Sequence, residues 1–306
     1  MKKTIAIILI IFLVILSSAG LYTYTTIYLP AGNDNTNIAF EVNKGQSIST
    51  ISQELQQKKL IKSALIFKFY VWLTGGNILP GVYYLKSNMT AKEIAETLSS
   101  GKINENKITI PEGWRVTDIA DYLAKNNLAD KNDFIVKAAN LEGYLFPDTY
   151  RLAKDATASN IVKLLNDNFY TKTKSLNPTK DQLILASIVE REAKFDKDRA
   201  TIAGVYQNRL NDGMKLEADP TVQYAKGDWS ILSLDDLTIN SPYNTYLNTG
   251  LPPTPICNPG LASIKAAINP EKNDYFYFFH LADGTTIYSK TLDEHNANLA
   301  KYKDKM

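Results

Sequence analysis

The sequence predicts an α+β fold carried behind an N-terminal transmembrane helix. Three patterns predict it. An uncharged, mostly apolar run opens the chain; a segment of strand, glycine turn and amphipathic helices then occurs twice; and after residue 140 strongly apolar helices give way to aromatic, proline-bounded loops and a last pair of strands. At 306 residues, with 44% hydrophobic and 22% charged side chains, the chain has material for a substantial core and is not disordered. Lys and Arg total 34 against 32 for Asp and Glu, with no basic block, which argues against a nucleic-acid partner. Cys257 is the only cysteine, so intrachain disulfides and thiolate-rich zinc sites are excluded. His280 and His295 are the only histidines, which is poor material for a metal site, and no metal or organic cofactor is expected.

The first element spans 1–30. No charged residue falls between Lys3 and Asp34. An uncharged helix from Thr4 to about Pro30 is long enough to cross ~30 Å of hydrocarbon. Tyr22, Tyr24 and Tyr28 stand at its far end, where amphipathic rings favour the interface, and Lys2 and Lys3 flank only its start. The expectation is a single-pass anchor in the cytoplasmic membrane, N-terminus cytoplasmic and the remainder extracytoplasmic. The alternative is a cleaved signal peptide with Ser18-Ala19-Gly20 as its cleavage site; the uncharged character continues past that site and favours the anchor.

Two β-α-α units follow, at 37–100 and 101–140. Lys44-Gly45-Gln46-Ser47-Ile48 through Leu55 aligns with Glu112-Gly113-Trp114-Arg115-Val116 through Leu123, and the match continues to Leu60 against Leu128 and Phe67 against Ile135. Each copy has a strand-like lead-in (Ile38–Val42; Lys107–Ile110), a glycine turn and apolar residues at helical spacing. Ser47 or Ser49, and Thr117, are the expected helix starts. The turn Gly45-Gln46-Ser47 with Ile51 and Leu55 resembles a LysM module, a small peptidoglycan- or chitin-binding fold, although the same spacing serves a plain core. Pro80–Leu85 reads as a turn into a strand, and Thr90–Leu98 as another amphipathic helix.

Residues 141–306 carry the chemistry. Glu142-Gly143-Tyr144-Leu145-Phe146-Pro147-Asp148-Thr149-Tyr150 is neither a regular helix nor a central strand; it suits the wall of a ligand cleft or a domain-joining loop. Thr179–Lys194 is the strongest helix, with a Thr179/Gln182 capping box and apolar residues around most of its circumference. Glu190-Arg191-Glu192 falls at its end. Glu190 continues the stripe of Leu183 and Ala186, Glu192 that of Leu185, Ile188 and Val189. Both carboxylates abut apolar faces, and periodicity does not choose between them. Desolvation would hold such a carboxyl in the neutral form that a general acid needs; alternatively the helix emerges there and leaves both carboxylates solvated, paired with Lys194 or Arg199. A second helix (Thr201–Leu210) precedes polar, aromatic, Pro-bounded loops suited to carbohydrate. Asp274–Phe279 reads as a buried strand paired with Thr285–Ser289.

Ala186-Ser187-Ile188-Val189-Glu190-Arg191-Glu192, Asn208-Arg209-Leu210, Asp219-Pro220-Thr221-Val222-Gln223-Tyr224, Tyr243-Asn244-Thr245-Tyr246, Gly250-Leu251-Pro252-Pro253 and Asn258-Pro259-Gly260 follow in order. With Glu142–Tyr150 upstream they resemble the YceG-like family over nearly the whole chain. The resemblance implies a lytic transglycosylase that cleaves MurNAc-β-1,4-GlcNAc bonds within peptidoglycan glycan strands, leaves 1,6-anhydro ends, and terminates growing strands beside membrane-bound peptidoglycan synthases. It implies Glu190 as the catalytic acid/base, and Glu142, Gln223, Tyr243, Asn244 and Tyr246 as substrate-binding residues. Two further readings stay in view. A water-using muramidase would need a second carboxylate, from Glu142, Glu217 or Asp219; a non-enzymatic wall-binding scaffold would need only the LysM-like unit. Ile256-Cys257 has no assigned role.

Overall fold

The computed structural model describes residues 2–100, 105–153 and 156–306, and the chain forms two compact units, 1–106 and 107–306. The first opens with α1 (Lys2–Tyr28), unbroken through Ser18-Ala19-Gly20. Then come β1 (Ile38–Val42), α2 (Ile48–Gln57), α3 (Ala64–Leu73), β2 (Gly81–Leu85) and α4 (Ala91–Ser100). β1 and β2 pair antiparallel, with Phe40 opposite Tyr83. Alternate strand residues (Phe40, Val42, Tyr83, Leu85) turn inward onto Ile51, Leu55, Phe67, Val71, Ile94 and Leu98. Ser47 is the N-cap of α2, its hydroxyl accepting from Thr50 N at 3.1 Å.

The second unit begins with the same order of elements: β3 (Glu105–Thr109), α5 (Val116–Lys125), α6 (Lys131–Lys137), β4 (Thr149–Ala153) and α7 (Ala158–Thr173). β3 and β4 form their own two-stranded sheet. The internal repeat is therefore longer than the sequence reading, because each copy is closed by a second strand and a third helix. The copies agree in backbone detail. Gly45 and Gly113 turn with φ +82° and +78°, which needs a residue without Cβ. Lys59 and Asn127 occupy equivalent left-handed positions after α2 and α5, at φ 57° and 54°. Leu60 N then donates to Leu55 O, and Leu128 N to Leu123 O, both at 2.9 Å. Helix α5 starts one residue before Thr117, with Arg115 at the N-cap and Asp118 accepting from Arg115 N at 2.9 Å. Since β4 lies beyond residue 140 and pairs with β3, the division expected near that residue falls inside one compact unit.

The rest of this unit is α8 (Lys180–Glu192), α9 (Arg199–Asn211), α10 (Asp219–Lys226), α11 (Leu261–Ile268), the hairpin β5 (Tyr277–His280) and β6 (Thr286–Ser289), and α12 (Leu292–Tyr302). Thr179 and Gln182 form the expected capping box of α8. Every residue from Leu183 to Val189 is buried, so α8 is the central element of the core it shares with α9 and α11. Ile256-Cys257 packs on it: Ile256 N donates to the Ser187 hydroxyl at 3.0 Å and the Cys257 thiol to Ser187 O at 3.3 Å. The last hairpin is half-buried and starts at Tyr277 rather than Asp274. The carbonyls of Tyr275 and Phe276 instead accept from Asn208 and Arg209 of α9.

The paired left-handed positions make a test of the repeat. A lysine with positive φ carries strain that asparagine largely escapes. Lys59→Gly should stabilise the protein by about 0.5–1 kcal/mol and Asn127→Gly should change it by only a few tenths, read as shifts in the urea midpoint.

Candidate active site

Glu190 and Glu192 share the last turn of α8 but point about 200° apart around its axis. They meet different surroundings. Glu190 Oε1 accepts from Arg199 Nη1 at 3.2 Å and Oε2 from the Gly260 amide at 2.9 Å. Its side chain is 5% exposed. Arg199 also donates to the Ser263 hydroxyl (2.5 Å) and to Asp196 Oδ1 (2.9 Å). The pairing with Arg199 is one that the solvated alternative named, but it is buried rather than solvated. A carboxylate answered by a guanidinium and a backbone N–H makes charge-assisted hydrogen bonds. Here it locks the end of α8 to α9 and to the start of α11. Glu112, just before the Gly113 turn, lies beside it: a Cβ on Gly260 would run into the Glu112 carboxylate. Burial, and secondarily the charge of Glu190, raise the Glu112 carboxyl above its ordinary value.

Glu192 faces the other way, into a cavity of about 370 Å³ that it shares with Tyr206, Arg209, Glu217, Asp219, Tyr246 and His280. It has one protein donor, the Tyr206 hydroxyl, at 2.8 Å to Oε1. Burial pushes its carboxyl up to about 7, with the nearby Asp219 charge adding to the shift while Tyr206 and Arg209 oppose it. Asp219, at the start of α10, accepts from the Tyr246 hydroxyl at 2.7 Å. His280 is pushed below its ordinary value, first by burial and then by Lys194. Arg209 fixes the floor of the cavity: Nη1 donates to the carbonyls of Lys215 and Leu216 and to Glu217, and Nε donates to Phe276 O. The Asn208-Arg209-Leu210 motif thus presents the loop that leads into Asp219. Of the two glutamates, Glu192 is the one that lines a cavity and whose carboxyl burial raises. Glu190, the expected acid/base, is buried against Arg199 and the Gly260 amide.

The five expected substrate-binding residues separate. Tyr246 lies in the Glu192 cavity. Glu142 accepts from Val116 N (3.1 Å), Asn258 Nδ2 (3.2 Å) and the Tyr224 hydroxyl (3.4 Å), which ties the 142–150 loop to the start of α5 and to α10. Burial pushes its carboxyl up to about 8. Tyr243 sits by Glu142's partner, its ring 4.8 Å from that of Tyr224 and its hydroxyl 2.7 Å from that of Thr254. Asn244 is fully buried; its amide nitrogen donates to Leu237 O and Ile239 O, and its oxygen accepts from Tyr246 N. It therefore sets the course of the loop and is not available to a ligand. Gln223 Nε2 similarly holds Trp229 O and Ser230 O, closing the turn after α10. The carbohydrate reading of these amides overlooked how many backbone carbonyls a proline-bounded loop leaves to satisfy.

Tyr206 and Trp229 had no role in the sequence reading. Tyr206 has a helical cue, one turn before Arg209 on the same face of α9. The guanidinium of Arg191 lies 4.0 Å and that of Arg115 4.8 Å from the Trp229 ring centre, and Arg191 Nε has no hydrogen-bond partner among the described residues. Nothing in the sequence joins Trp229 to that pair. Among the described residues no group of three His, Cys, Asp or Glu is placed to hold a metal ion.

The sequence profile of the YceG-like family matches residues 40–301. The chain belongs to the YceG-like family. A Bacillus subtilis relative named endolytic murein transglycosylase is 34% identical across 94% of this chain and 91% of its own length. A Streptococcus pneumoniae relative of the same name is 30% identical across 98% of this chain and 65% of its own length. A crystal structure of a yceG-like protein from Listeria monocytogenes, 36% identical, superposes with a TM-score of 0.58 over 87% of this chain and 100% of that one. The mixed α and β architecture is thus shared with a YceG-like protein of known structure.

The raised Glu192 carboxyl has a consequence for stability. Its value moves from 4.5 to about 7 on folding, so between those pH values the folded chain binds more protons than the unfolded one. Stability therefore falls as pH rises through that window. Glu192→Gln should leave stability nearly unchanged at pH 4 and raise it at pH 8, by at most about 3 kcal/mol. Urea unfolding at both pH values checks this, and an equal effect at the two would mean that the carboxyl is not raised.

Proposed function

We propose that this YceG-like protein is a membrane-anchored endolytic transglycosylase of peptidoglycan, with Glu192 as its proton-transfer group. The geometry that carries the reading is a buried Glu192 carboxyl with one side-chain donor, lining a polar cavity; the names of the relatives supply the reaction class. The protonated Glu192 donates to the glycosidic oxygen between MurNAc C1 and GlcNAc C4 as the C1–O bond breaks. The MurNAc C6 hydroxyl then closes on C1 while the Glu192 carboxylate takes its proton. The acid is restored, no water is consumed, and the ends are a 1,6-anhydroMurNAc and a free GlcNAc 4-hydroxyl. Asp219 in the same cavity offers negative charge to the oxocarbenium-like transition state, and its bond to Tyr246 holds it in place. Tyr246 is the expected contact that lies in this cavity and fits direct substrate binding; Glu142, Gln223, Tyr243 and Asn244 lie outside it.

The anchor reading rests on α1, which is apolar from Leu9 to Tyr28 and helical through the would-be cleavage site. With Lys2 and Lys3 inside, the residues that follow the span lie on the extracytoplasmic side, within reach of newly made glycan and of the synthases that extend it. Two antiparallel strands enclosing α2 and α3 support a LysM-like, glycan-binding reading of residues 37–100.

The deciding experiment is mass spectrometry of uncrosslinked glycan strands treated with the full chain in vesicles. Wild type should release anhydro-ended fragments, and Glu192→Gln should release none while remaining folded. Glu190→Gln breaks a buried pair and should lose roughly 3 kcal/mol of stability, yet cleave wherever it folds. A folded, inactive Glu190→Gln beside an active Glu192→Gln would return the role to Glu190. Reducing ends in place of anhydro ends would support the muramidase reading, which Asp219 in the Glu192 cavity keeps open.

The rate should also fall on the alkaline side with a midpoint near 7, as Glu192 loses the proton it must donate. Because Glu142 titrates at about 8, the control is Glu142→Gln, which should leave that midpoint in place. A midpoint that moves with Glu142→Gln would assign the limb to Glu142.

A further inference from the structure

Helix α3 is apolar on two faces, and the core uses only one. Phe67 and Val71 are buried among the residues of the first unit. On the opposite side Leu65, Phe69, Trp72 and Leu73 are 77%, 56%, 71% and 67% exposed. Their spacing (i, i+4, i+7, i+8) aligns them in one stripe, and the rings of Phe69 and Trp72 touch at 5.6 Å between centres. Four large apolar side chains on one exposed helix face form a patch of the kind that marks a docking surface.

Two observations say what covers it. The first is position. The last turn of α1 packs into this unit, with Thr26 and Ile27 buried, and Lys62, just before α3, donates from Nζ to Thr25 O at 3.1 Å. Tyr70 of α3 lies in the field of Tyr28. The apolar stripe thus belongs to the helix that flanks the outer end of the apolar span. The second is charge. Lys58, Lys59, Lys62 and Lys68 are all exposed around α3, and no acidic residue occurs between Glu54 and Glu93. Trp and Phe beside lysines at the end of a membrane span are the composition of an interfacial segment, with rings at the acyl boundary and ammonium groups among anionic headgroups.

We propose that α3 lies in the membrane surface, with Leu65, Phe69, Trp72 and Leu73 in the outer interfacial layer of the bilayer that α1 spans. This rests on the anchor reading of α1. The docked helix would hold the first unit against the lipid as a second attachment, so that the unit cannot swing freely about the residues after Tyr28.

The test is site-directed spin labelling of the full chain in vesicles of zwitterionic and anionic phospholipid. Labels go on Phe69→Cys and Leu73→Cys, both exposed and tolerant of substitution, and on Ile11→Cys within α1; the native Cys257 is buried and shielded from the reagent. Collision rates with oxygen, which partitions into lipid, and with a water-soluble nickel chelate report depth. Positions 69 and 73 should show a severalfold higher oxygen-to-nickel ratio than a label free in buffer, though lower than position 11. A buffer-like ratio at 69 and 73 overturns the proposal. So does shielding from both relaxers, which would mean that protein, such as a second copy of the chain, covers the stripe. A buffer-like ratio at position 11 would sink the anchor reading by itself, and a lipid-like ratio at 69 and 73 would then leave α3 as the membrane contact.

Discussion

The buried contact of Glu190 with Arg199 and the Gly260 amide is the constraint on which the site depends. It joins the end of α8 to α9 and to the segment that starts α11. A helix terminus leaves carbonyls unsatisfied and tends to fray, so a side chain presented from the last turn is only as well placed as that turn. With Glu190 fixed on one side, Glu192 is fixed on the other, since both ride on the same backbone. The charge at position 190 is matched and hydrogen-bonded, which makes it tolerable in the interior. The carboxyl at position 192 is left under-matched, and its acidity shifts instead. Two glutamates in one turn thereby meet opposite surroundings: one is paired and hydrogen-bonded, the other lines a cavity.

The same logic runs through the motifs around the cavity. Arg209 is buried and satisfies the carbonyls of Lys215, Leu216 and Phe276. Asn208 does the same for Asn273 and Tyr275, Asn244 for Leu237 and Ile239, and Asn258 for Trp114. Each long loop in this unit has a buried amide or guanidinium that takes up its backbone oxygens. Most of the polar motif residues therefore act one step away from substrate. They help decide where Tyr246, Asp219 and Glu192 stand, which together line one cavity.

How much of this was legible in the sequence depends on whether the deciding partner was local. The Thr179/Gln182 box lies within one turn, and it set the start of α8. The repeat was readable because Gly45 and Gly113 punctuate matching apolar patterns, but its closing strands were harder to see, since β2 and β4 pair with partners about forty residues earlier. The choice between Glu190 and Glu192 could not be made from periodicity, because both follow apolar stripes. What distinguishes their surroundings is Arg199, on the next helix, and the amide of Gly260, seventy positions on. Glu112 was invisible as a neighbour for the same reason: only the fold brings its carboxyl against Gly260. An amide in a loop looks the same in sequence whether it faces a sugar or its own backbone, and the amide nitrogens of Asn244 and Gln223 bond the backbone.

Glu142 shows why a raised carboxyl is not by itself an acid catalyst. Its acidity is shifted at least as far as that of Glu192, to about 8 against about 7. Yet its oxygens are taken by Val116 N, Asn258 Nδ2 and the Tyr224 hydroxyl, three donors from three segments. A proton arriving there would displace a bond that holds the loop. Among the described residues Glu192 has one side-chain donor, on one oxygen, and it lines the cavity. Proton transfer to a leaving oxygen needs a vacant valence as much as it needs the shifted acidity. A lytic reaction needs it twice, because the same carboxyl must give up one proton and then accept another from the substrate's own hydroxyl. In the proposed assignment Glu192 combines the milder shift with fewer donors, which suits both steps.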